Sequence, residues 1–440
     1  METPSRSPYV PSLSLSMSGR DSPIIFSPNS ESEEWVREWQ SIQAKELIDS
    51  PLIAVDADTS VEDACEVLLS NDTSCIAIKD PPSSPGETSP LLGLFDFADV
   101  NAFLTLAAFQ HTKSADELRE NPRAEEIVKA AKAGKVPASL VSNLSEKDPL
   151  EILTDTATLV DLLTVFATGT HRILIRSSSS PESSTSTSRF LGFISDRSLL
   201  SYFHAHAQTS APLSRFLNNG LHSLTLSSIN LRTAVVSCAS SARVLDAMAL
   251  MSEEGVSSVA VVEDSPASGV ASPGQMTLLS AVSVTDIGKI VVRSESNQIL
   301  QMPLQQFVAQ IKESDGSTDG EDRYPVYSVS ARSTLRYAIE KILATNAHRV
   351  FVTEDTHSGG SSPVAPASPT SAVTTTSQAP LNGVLLRGVI SVIDVLALFA
   401  QLAGLPDVDP ARMQRHRRFS SASSGSGSMR SPQLKPVGVR

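Results

Sequence analysis

Ser333-Thr-Leu-Arg-Tyr-Ala338, Asn346-Ala-His-Arg-Val-Phe-Val352 and Gly388-Val-Ile-Ser-Val-Ile-Asp394 decide the fold of this chain. The first segment opens a helix. Asn346, a residue that tolerates the left-handed conformation, closes it. A β-branched apolar strand follows at once. After a loop comes a second apolar strand, then a helix that begins near Asp394. The same order recurs three times upstream. Asp58-Thr-Ser-Val-Glu-Asp-Ala64, Ser74-Cys-Ile-Ala-Ile78 and Gly93-Leu-Phe-Asp-Phe-Ala-Asp99 form the first copy, after the strand Ile53-Ala-Val55. Thr158-Leu-Val-Asp-Leu-Leu163, His171-Arg-Ile-Leu-Ile175 and Gly192-Phe-Ile-Ser-Asp-Arg-Ser198 form the second. Ala242-Arg-Val-Leu-Asp-Ala247, Ser257-Ser-Val-Ala-Val261 and Ser280-Ala-Val-Ser-Val-Thr-Asp286 form the third. The first helix of each copy is expected to stop at an equivalent place: Asn71, Gly169, Gly255 and Asn346.

These repeats divide the chain. Residues 1–31 are rich in Ser and Pro and read as a disordered tail. Residues 32–46 read as a leading helix, with the helical pattern reaching Ile48. Trp35, Trp39 and Ile42 share one face. That face packs on the first repeat or docks a partner. The repeats occupy 47–104, 145–203, 230–292 and 322–399. Linkers fill 105–144, 204–229 and 293–321, and Ser114 to Ala133 is helical in character. The loop inside every repeat is swollen with Ser, Pro and Gly (80–90, 177–189, 263–276 and 354–385), and the last is read as a disordered insertion. Residues 406–440 are a basic, Ser-rich tail. One β-α-β-β-α unit cannot cover both faces of its sheet, so repeats 1 and 2 are expected to pair, and repeats 3 and 4 likewise.

Bulk properties narrow the function. The 440 residues carry a net charge of −13, which disfavours nucleic acid or an anionic membrane as partner. No run approaches the roughly 20 apolar residues of a bilayer span. Met1-Glu-Thr-Pro-Ser lacks the apolar core of a secretory signal. Cys65, Cys75 and Cys238 are three in number, which points to reduced core thiols and a cytoplasmic and nuclear setting. No Walker loop, zinc-ligand spacing, nucleophile elbow or dinucleotide-binding glycine loop is present. No catalytic residue, metal or cofactor is expected, and the chain reads as a sensor or platform rather than an enzyme.

The repeats resemble CBS domains, the α/β modules named after cystathionine beta-synthase, which pair into Bateman modules. Four copies in register, with His171-Arg172 and His348-Arg349 in alternate copies, resemble the gamma subunit of AMP-activated protein kinase. The Ser/Pro-rich ends and swollen loops are similar instead to a fungal family of the Sds-twenty-three or Moc type. That resemblance implies roles in nutrient stress, cell-cycle progression and cell separation. It also implies a protein partner, a type 2A-like phosphatase or a kinase complex. Self-association into a homodimer is a further expectation, since Bateman modules often self-associate.

The resemblance also implies sites. AMP, ADP or ATP would be the regulatory ligand. Asp99, Asp286 and Asp394 would hold ribose hydroxyls, because a carboxylate matches a cis-diol. Ser283 and Ser391 would act at the helix start beside phosphate. His171, Arg172, His348 and Arg349 would reach phosphates, the guanidinium as a fixed fork. Repeat 1 has Asp96 where Ser or Thr is expected. Repeat 2 has Ser198 in place of the ribose acid. Ser74-Cys75 and Ser257-Ser258 stand where the gamma family often places an Arg, so the cationic lining is thin. Plainer readings stand beside these. The aspartates suit a first helical turn anyway, the histidines can bond between domains, and the arginines can pair with acids of the opposite module. Arg415-His-Arg-Arg-Phe-Ser420 resembles a basophilic kinase site, and Ser22, Ser27, Ser362, Ser368 and Ser431 precede proline. Tail phosphorylation of a nucleotide-independent scaffold or phosphatase inhibitor is therefore the alternative function.

Overall fold

The computed structural model describes residues 28–80, 91–109, 121–178, 189–224, 226, 235–264, 276–291, 298–314, 327–354, 384–406 and 408. Ser22, Ser27, Ser362, Ser368, Ser420 and Ser431 lie outside the described residues, as do residues 110–120 and nearly all of both tails.

The chain begins with helix α1 (Ser30–Trp39), capped by Asn29. Repeat 1 contains β1 (Ala54–Asp56), α2 (Val61–Ser70), β2 (Cys75–Lys79), β3 (Leu91–Asp96) and α3 (Phe97–Phe109). A linker helix α4 (Pro122–Lys132) follows, with Asn121 as cap and Pro122 in its first turn. Repeat 2 contains β4 (Ile152–Thr154), α5 (Leu159–Phe166), β5 (Arg172–Arg176), β6 (Phe190–Ser195) and α6 (Asp196–Thr209), then linker helix α7 (Ala211–Leu217). Repeat 3 contains β7 (Ser237–Ala239), α8 (Val244–Glu254), β8 (Ser258–Val262), β9 (Thr277–Ser283) and α9 (Val284–Val291), then α10 (Leu304–Ser314). Repeat 4 contains β10 (Ser328–Ser330), α11 (Leu335–Ala344), β11 (Arg349–Glu354), β12 (Val384–Ser391) and α12 (Val392–Leu402).

In every repeat the first strand runs parallel to the second and the second antiparallel to the third. Each antiparallel pair breaks register at the same place: Ile78/Lys79, Ile175/Arg176, Val261/Val262 and Val352/Thr353. An irregularity kept at one position is a built feature of the hairpin. The first helices start alike as well. Ser60, Thr158 and Thr334 each accept the backbone N–H three residues on. They close at Asp72 (φ 46°), Gly169 (φ 108°), Gly255 (φ 63°) and Asn346 (φ 56°). The left-handed residue of repeat 1 is thus Asp72, one position beyond the expected Asn71.

Sheets pair as expected, but most of the packing does not follow the pairs. Ala77 and Leu94 of repeat 1 pack on Leu174 and Phe193 of repeat 2. Repeats 3 and 4 share one six-stranded sheet, joined where Val384 and Leu385 of β12 pair with Leu278 and Thr277 of β9. The two largest cores cross between the pairs. One joins the helices of repeats 1 and 3, around Val100, Ile127, Met248 and Phe307. The other joins those of repeats 2 and 4, around Phe166, Phe203, Leu396 and Phe399. A small three-stranded sheet offers two faces. The partner repeat covers one, and the repeat's own helices cover the other and then need a further layer.

The leading helix differs from expectation in length and place. It stops at Trp39, and only a single 3-10 turn at Ala44–Glu46 follows. It packs on repeats 2 and 4 rather than repeat 1. Trp39 meets Phe203 edge-on at 4.9 Å, Phe203 stacks on Phe399 at 4.1 Å, and Trp35 meets Phe216 at 6.2 Å. Aromatic pairs of this kind add about 0.5–1.5 kcal/mol each beyond their buried area. Cys65, Cys75 and Cys238 are free and buried, and burial pushes the Cys75 thiol up to about 12. No helix among the described residues is long and apolar enough to cross a membrane.

Candidate functional site

The start of the last helix in each repeat is the common structural unit. In repeat 4, Ser391 donates its N–H (2.8 Å) and its hydroxyl (2.7 Å) to Asp394 Oδ2, and accepts the Asp394 N–H (3.2 Å). Repeat 3 repeats this with Ser283 and Asp286, at 2.9, 2.7 and 3.1 Å. These are reciprocal caps, and they explain the Ser-x-x-Asp spacing locally. The caps leave Ser and Asp half-exposed at the helix start.

Repeats 1 and 2 close the equivalent positions with distant chain. In repeat 1, Asp99 is buried. Its Oδ2 accepts the N–H groups of Asp96 (3.3 Å) and Asn143 (3.1 Å), and its Oδ1 accepts that of Ser145 (2.9 Å). Both oxygens of this expected ribose acid are therefore held by backbone, chiefly the linker at 143–145. Burial, then the Asp96 carboxylate beside it, pushes the Asp99 carboxyl well above its ordinary range, against those amides. In repeat 2, Asp49 supplies the carboxylate that Ser198 cannot. Ser195 donates its N–H (3.2 Å) and its hydroxyl to Asp49 Oδ2, as Ser391 does to Asp394. Ser198 turns its hydroxyl to the Leu47 carbonyl (2.8 Å).

The two segments cross reciprocally. Residues 49–50, leading into repeat 1, bond Phe193 of repeat 2 (Asp49 N–H to Phe193 O, 3.0 Å; Phe193 N–H to Ser50 O, 2.8 Å). Residues 142–143, leading into repeat 2, bond Leu94 of repeat 1 (Asn143 N–H, 3.0 Å; Ser142 hydroxyl, 2.9 Å). Glycine permits both approaches: a Cβ at Gly192 would lie 2.5 Å from Ser50 O, and one at Gly93 2.5 Å from Ser142 Oγ.

The two arginines separate in the same way. Each stands opposite its helix-start serine across the hairpin, Arg172 opposite Ser195 and Arg349 opposite Ser391. Each also reaches the neighbouring repeat, Arg172 to the Ser74 hydroxyl and Arg349 to the Ser257 hydroxyl (3.1 Å). Ser74 and Ser257, which thinned the cationic lining in sequence, are thus where these arginines are anchored. Arg172 is neutralised by Asp148, at 3.1 Å with both side chains buried. Arg349 has no carboxylate within ion-pair distance among the described residues, and its Nε is buried with no hydrogen-bond partner. Burial holds the Arg349 guanidinium below its ordinary value, with Asp394 opposing. Burial opposes ionisation of Asp148 too, yet His171, Arg172 and Lys147 hold it below the ordinary carboxylate range.

The two histidines meet instead of serving separate clefts. His171 Nδ1 lies 2.7 Å from Asp196 Oδ2, and His348 Nδ1 lies 3.8 Å from the same oxygen. The rings stand edge-on at 5.2 Å. Asp196 is fully buried, whereas a third of the His348 side chain stays exposed. Burial opposes ionisation of Asp196, but the two imidazoles hold it far below the carboxylate range. Loss of water around His348 lowers it to about 4, against the pull of Asp196.

Asp49, Asp148 and Asp196 were not singled out in the sequence. For Asp196 a signal existed: it fills a position held by Phe97, Val284 and Val392 in the other repeats. For Asp49 and Asp148 none did, since their partners lie far along the chain or on another strand.

Four β-α-β-β-α units with one shared irregularity, paired by their sheets, have the fold of four CBS domains in two Bateman modules. The CBS domain family matches residues 226–273, within the third repeat. The crystal structure of protein MJ1225 from Methanocaldococcus jannaschii, described as a candidate archaeal homologue of g-AMPK, has the same fold. It aligns over 81% of this chain and 100% of its own, with a TM-score of 0.51 and 12% identity. Curated homologues of this chain include proteins named Sds23. Protein sds23 of Aspergillus niger is 29% identical over 433 residues, covering 90% of this chain and 79% of that protein. Protein SDS23 of Yarrowia lipolytica is 28% identical over 425 residues, covering 96% and 78%.

Proposed function

We propose that this non-catalytic CBS protein binds an adenine nucleotide in the cleft of repeats 3 and 4, and through it controls a phosphatase or kinase pathway. The observation that carries the reading is Arg349, a cation without an ion-pair partner among the described residues, whose Nε is buried and unbonded. It faces the helix start at Ser391, where the helix dipole favours an anion. Phosphate there would satisfy Arg349. Asp394 and Asp286 would meet ribose hydroxyls. Repeats 1 and 2 would take no nucleotide, because Asp99, Arg172 and Ser195 are already engaged by the chain itself.

The Sds23 resemblance supports roles in nutrient stress, cell-cycle progression and cell separation, with a type 2A-like phosphatase as partner in the cytoplasm and nucleus. A second reading has its own support. All three ribose aspartates cap or bind backbone already. A nucleotide-independent scaffold, switched by phosphorylation of the tail serines, is consistent with that.

Isothermal titration of the full chain with AMP, ADP and ATP separates the two. The nucleotide reading expects saturable binding, weakened by Arg349→Ala roughly tenfold or more, since a charge-assisted bond contributes about 1.5–3 kcal/mol. The exposed Asp49→Ala leaves it unchanged. A folded protein that takes up no nucleotide at millimolar concentration sinks it and leaves the scaffold.

A further inference from the structure

Where repeats 2 and 4 meet, one carboxylate and two imidazoles converge with valences unfilled. Asp196 is fully buried, and its Oδ1 has no hydrogen-bond partner. His348 Nδ1 is likewise buried and unbonded. The ligand atoms of His171, Asp196 and His348 all lie within 4.8 Å of one another. An unbonded oxygen on a buried carboxylate is costly, and native structures rarely leave one without a reason.

The backbone holds all three in place. The His171 N–H is fixed by Asp148 Oδ1 (2.9 Å) and the Asp196 N–H by the His171 carbonyl (3.0 Å). The His348 carbonyl accepts the Val392 N–H (3.0 Å). Arg197, next to Asp196, reaches the Asn346 carbonyl across the same junction (2.7 Å). These residues sit at strand starts and a helix start, which position ligands better than loops do.

We propose that His171, Asp196 and His348 form a binding site for a zinc-class divalent cation that ties repeat 2 to repeat 4. Two imidazoles and one carboxylate suit Zn²⁺ and its neighbours, whereas Mg²⁺ prefers an all-oxygen shell. Ligands about 2.0–2.2 Å from a tetrahedral ion stand about 3.3–3.6 Å apart. The observed separations from Asp196 Oδ2, 2.7 Å to His171 and 3.8 Å to His348, straddle that value. Small ring movements in opposite senses would admit the ion. Binding takes the neutral imidazoles through Nδ1, with the ring proton carried on Nε2, and no electron is transferred. Water fills the fourth position on the exposed side of His348. The adjacent charge of Arg172 is already balanced by Asp148. The site is independent of Arg349 and of any nucleotide.

The test is zinc titration of the full, chelator-treated protein, followed by calorimetry and thermal unfolding, with Mg²⁺ as comparator. Cobalt substitution reports the ligand field by its visible absorption. The site expects one equivalent of Zn²⁺ at micromolar affinity or tighter, a higher unfolding temperature and no response to Mg²⁺. His348→Gln, a half-exposed position that should fold, should weaken binding tenfold or more and abolish the cobalt spectrum. Asp196→Asn should do the same. Arg349→Ala should leave zinc uptake intact while nucleotide binding falls. No uptake at 100 micromolar zinc overturns the site. So does uptake that survives His348→Gln, which marks an adventitious ion only.

Discussion

Repeats 1 and 2 use the chain itself where repeats 3 and 4 leave polar groups open. The Arg172 guanidinium is bound to Asp148 and its helix-start serine to Asp49, while Arg349 reaches the Ser257 hydroxyl but no carboxylate among the described residues, and Ser391 is capped by Asp394 of its own repeat. The local motif is nearly the same in both modules. What differs is the crossing of residues 47–50 and 142–145 between the first two repeats. A motif within one repeat therefore sets the shape of a cleft, and chain from elsewhere decides whether it is vacant.

The largest effect that tests this contrast is on stability. Arg172→Ala should cost about 3–5 kcal/mol in denaturant unfolding, because it leaves Asp148 buried without its cation. Arg349→Ala should cost under about 1 kcal/mol or stabilise, since no ion pair is lost. Equal losses would erase the distinction between the modules. Next comes the crossing. Gly192→Ala drives a methyl into the Ser50 carbonyl at a backbone φ of 150°, and should cost about 1–3 kcal/mol by thermal unfolding. Gly93→Ala meets only the Ser142 hydroxyl, which can rotate, and should cost less. The reverse order would mean that the 49–50 segment yields more easily than its contacts imply.

The third effect, at most about 1.4 kcal/mol per pH unit for one proton, is on pH dependence. His348 falls from its ordinary 6.5 to about 4 on folding. The unfolded chain then binds more protons between those values, so stability rises with pH from about 4 to 6.5 and is flat above. His348→Gln should flatten that rise in unfolding midpoints measured across the window. An unchanged slope would place the titrating group elsewhere.

The repeats, strands and helix starts were legible because each rests on spacing within about ten residues. Ser391 with Asp394, and His348 beside Arg349, could be read that way. The crossed cores could not. Val100 and Met248, or Phe203 and Phe399, are apolar residues on helices of similar pattern, and no periodicity says which repeat a helix face meets. The same limit hid Asp49 and Asp148, whose meaning lies in a partner on another strand. Asp196 was readable only by comparing repeats, as an acid in an otherwise apolar column. The end of the leading helix at Trp39 was misread because Ile42, still in helical phase, belongs to the turn beyond it.

The packing of Trp39 on Phe399 also bears on how the chain is made. The ribosome delivers the first helix long before the last, so α1 has only the part of its seat that repeat 2 offers until the fourth repeat has left the exit tunnel. Until then the side of Trp39 that meets Phe399 stays uncovered, and the nascent protein depends on chaperones or on speed. A chain cut short in repeat 4 would keep the sheets of repeats 1 and 2 whole and lose half of the six-stranded one. Its front would still bear a greasy flag for quality control.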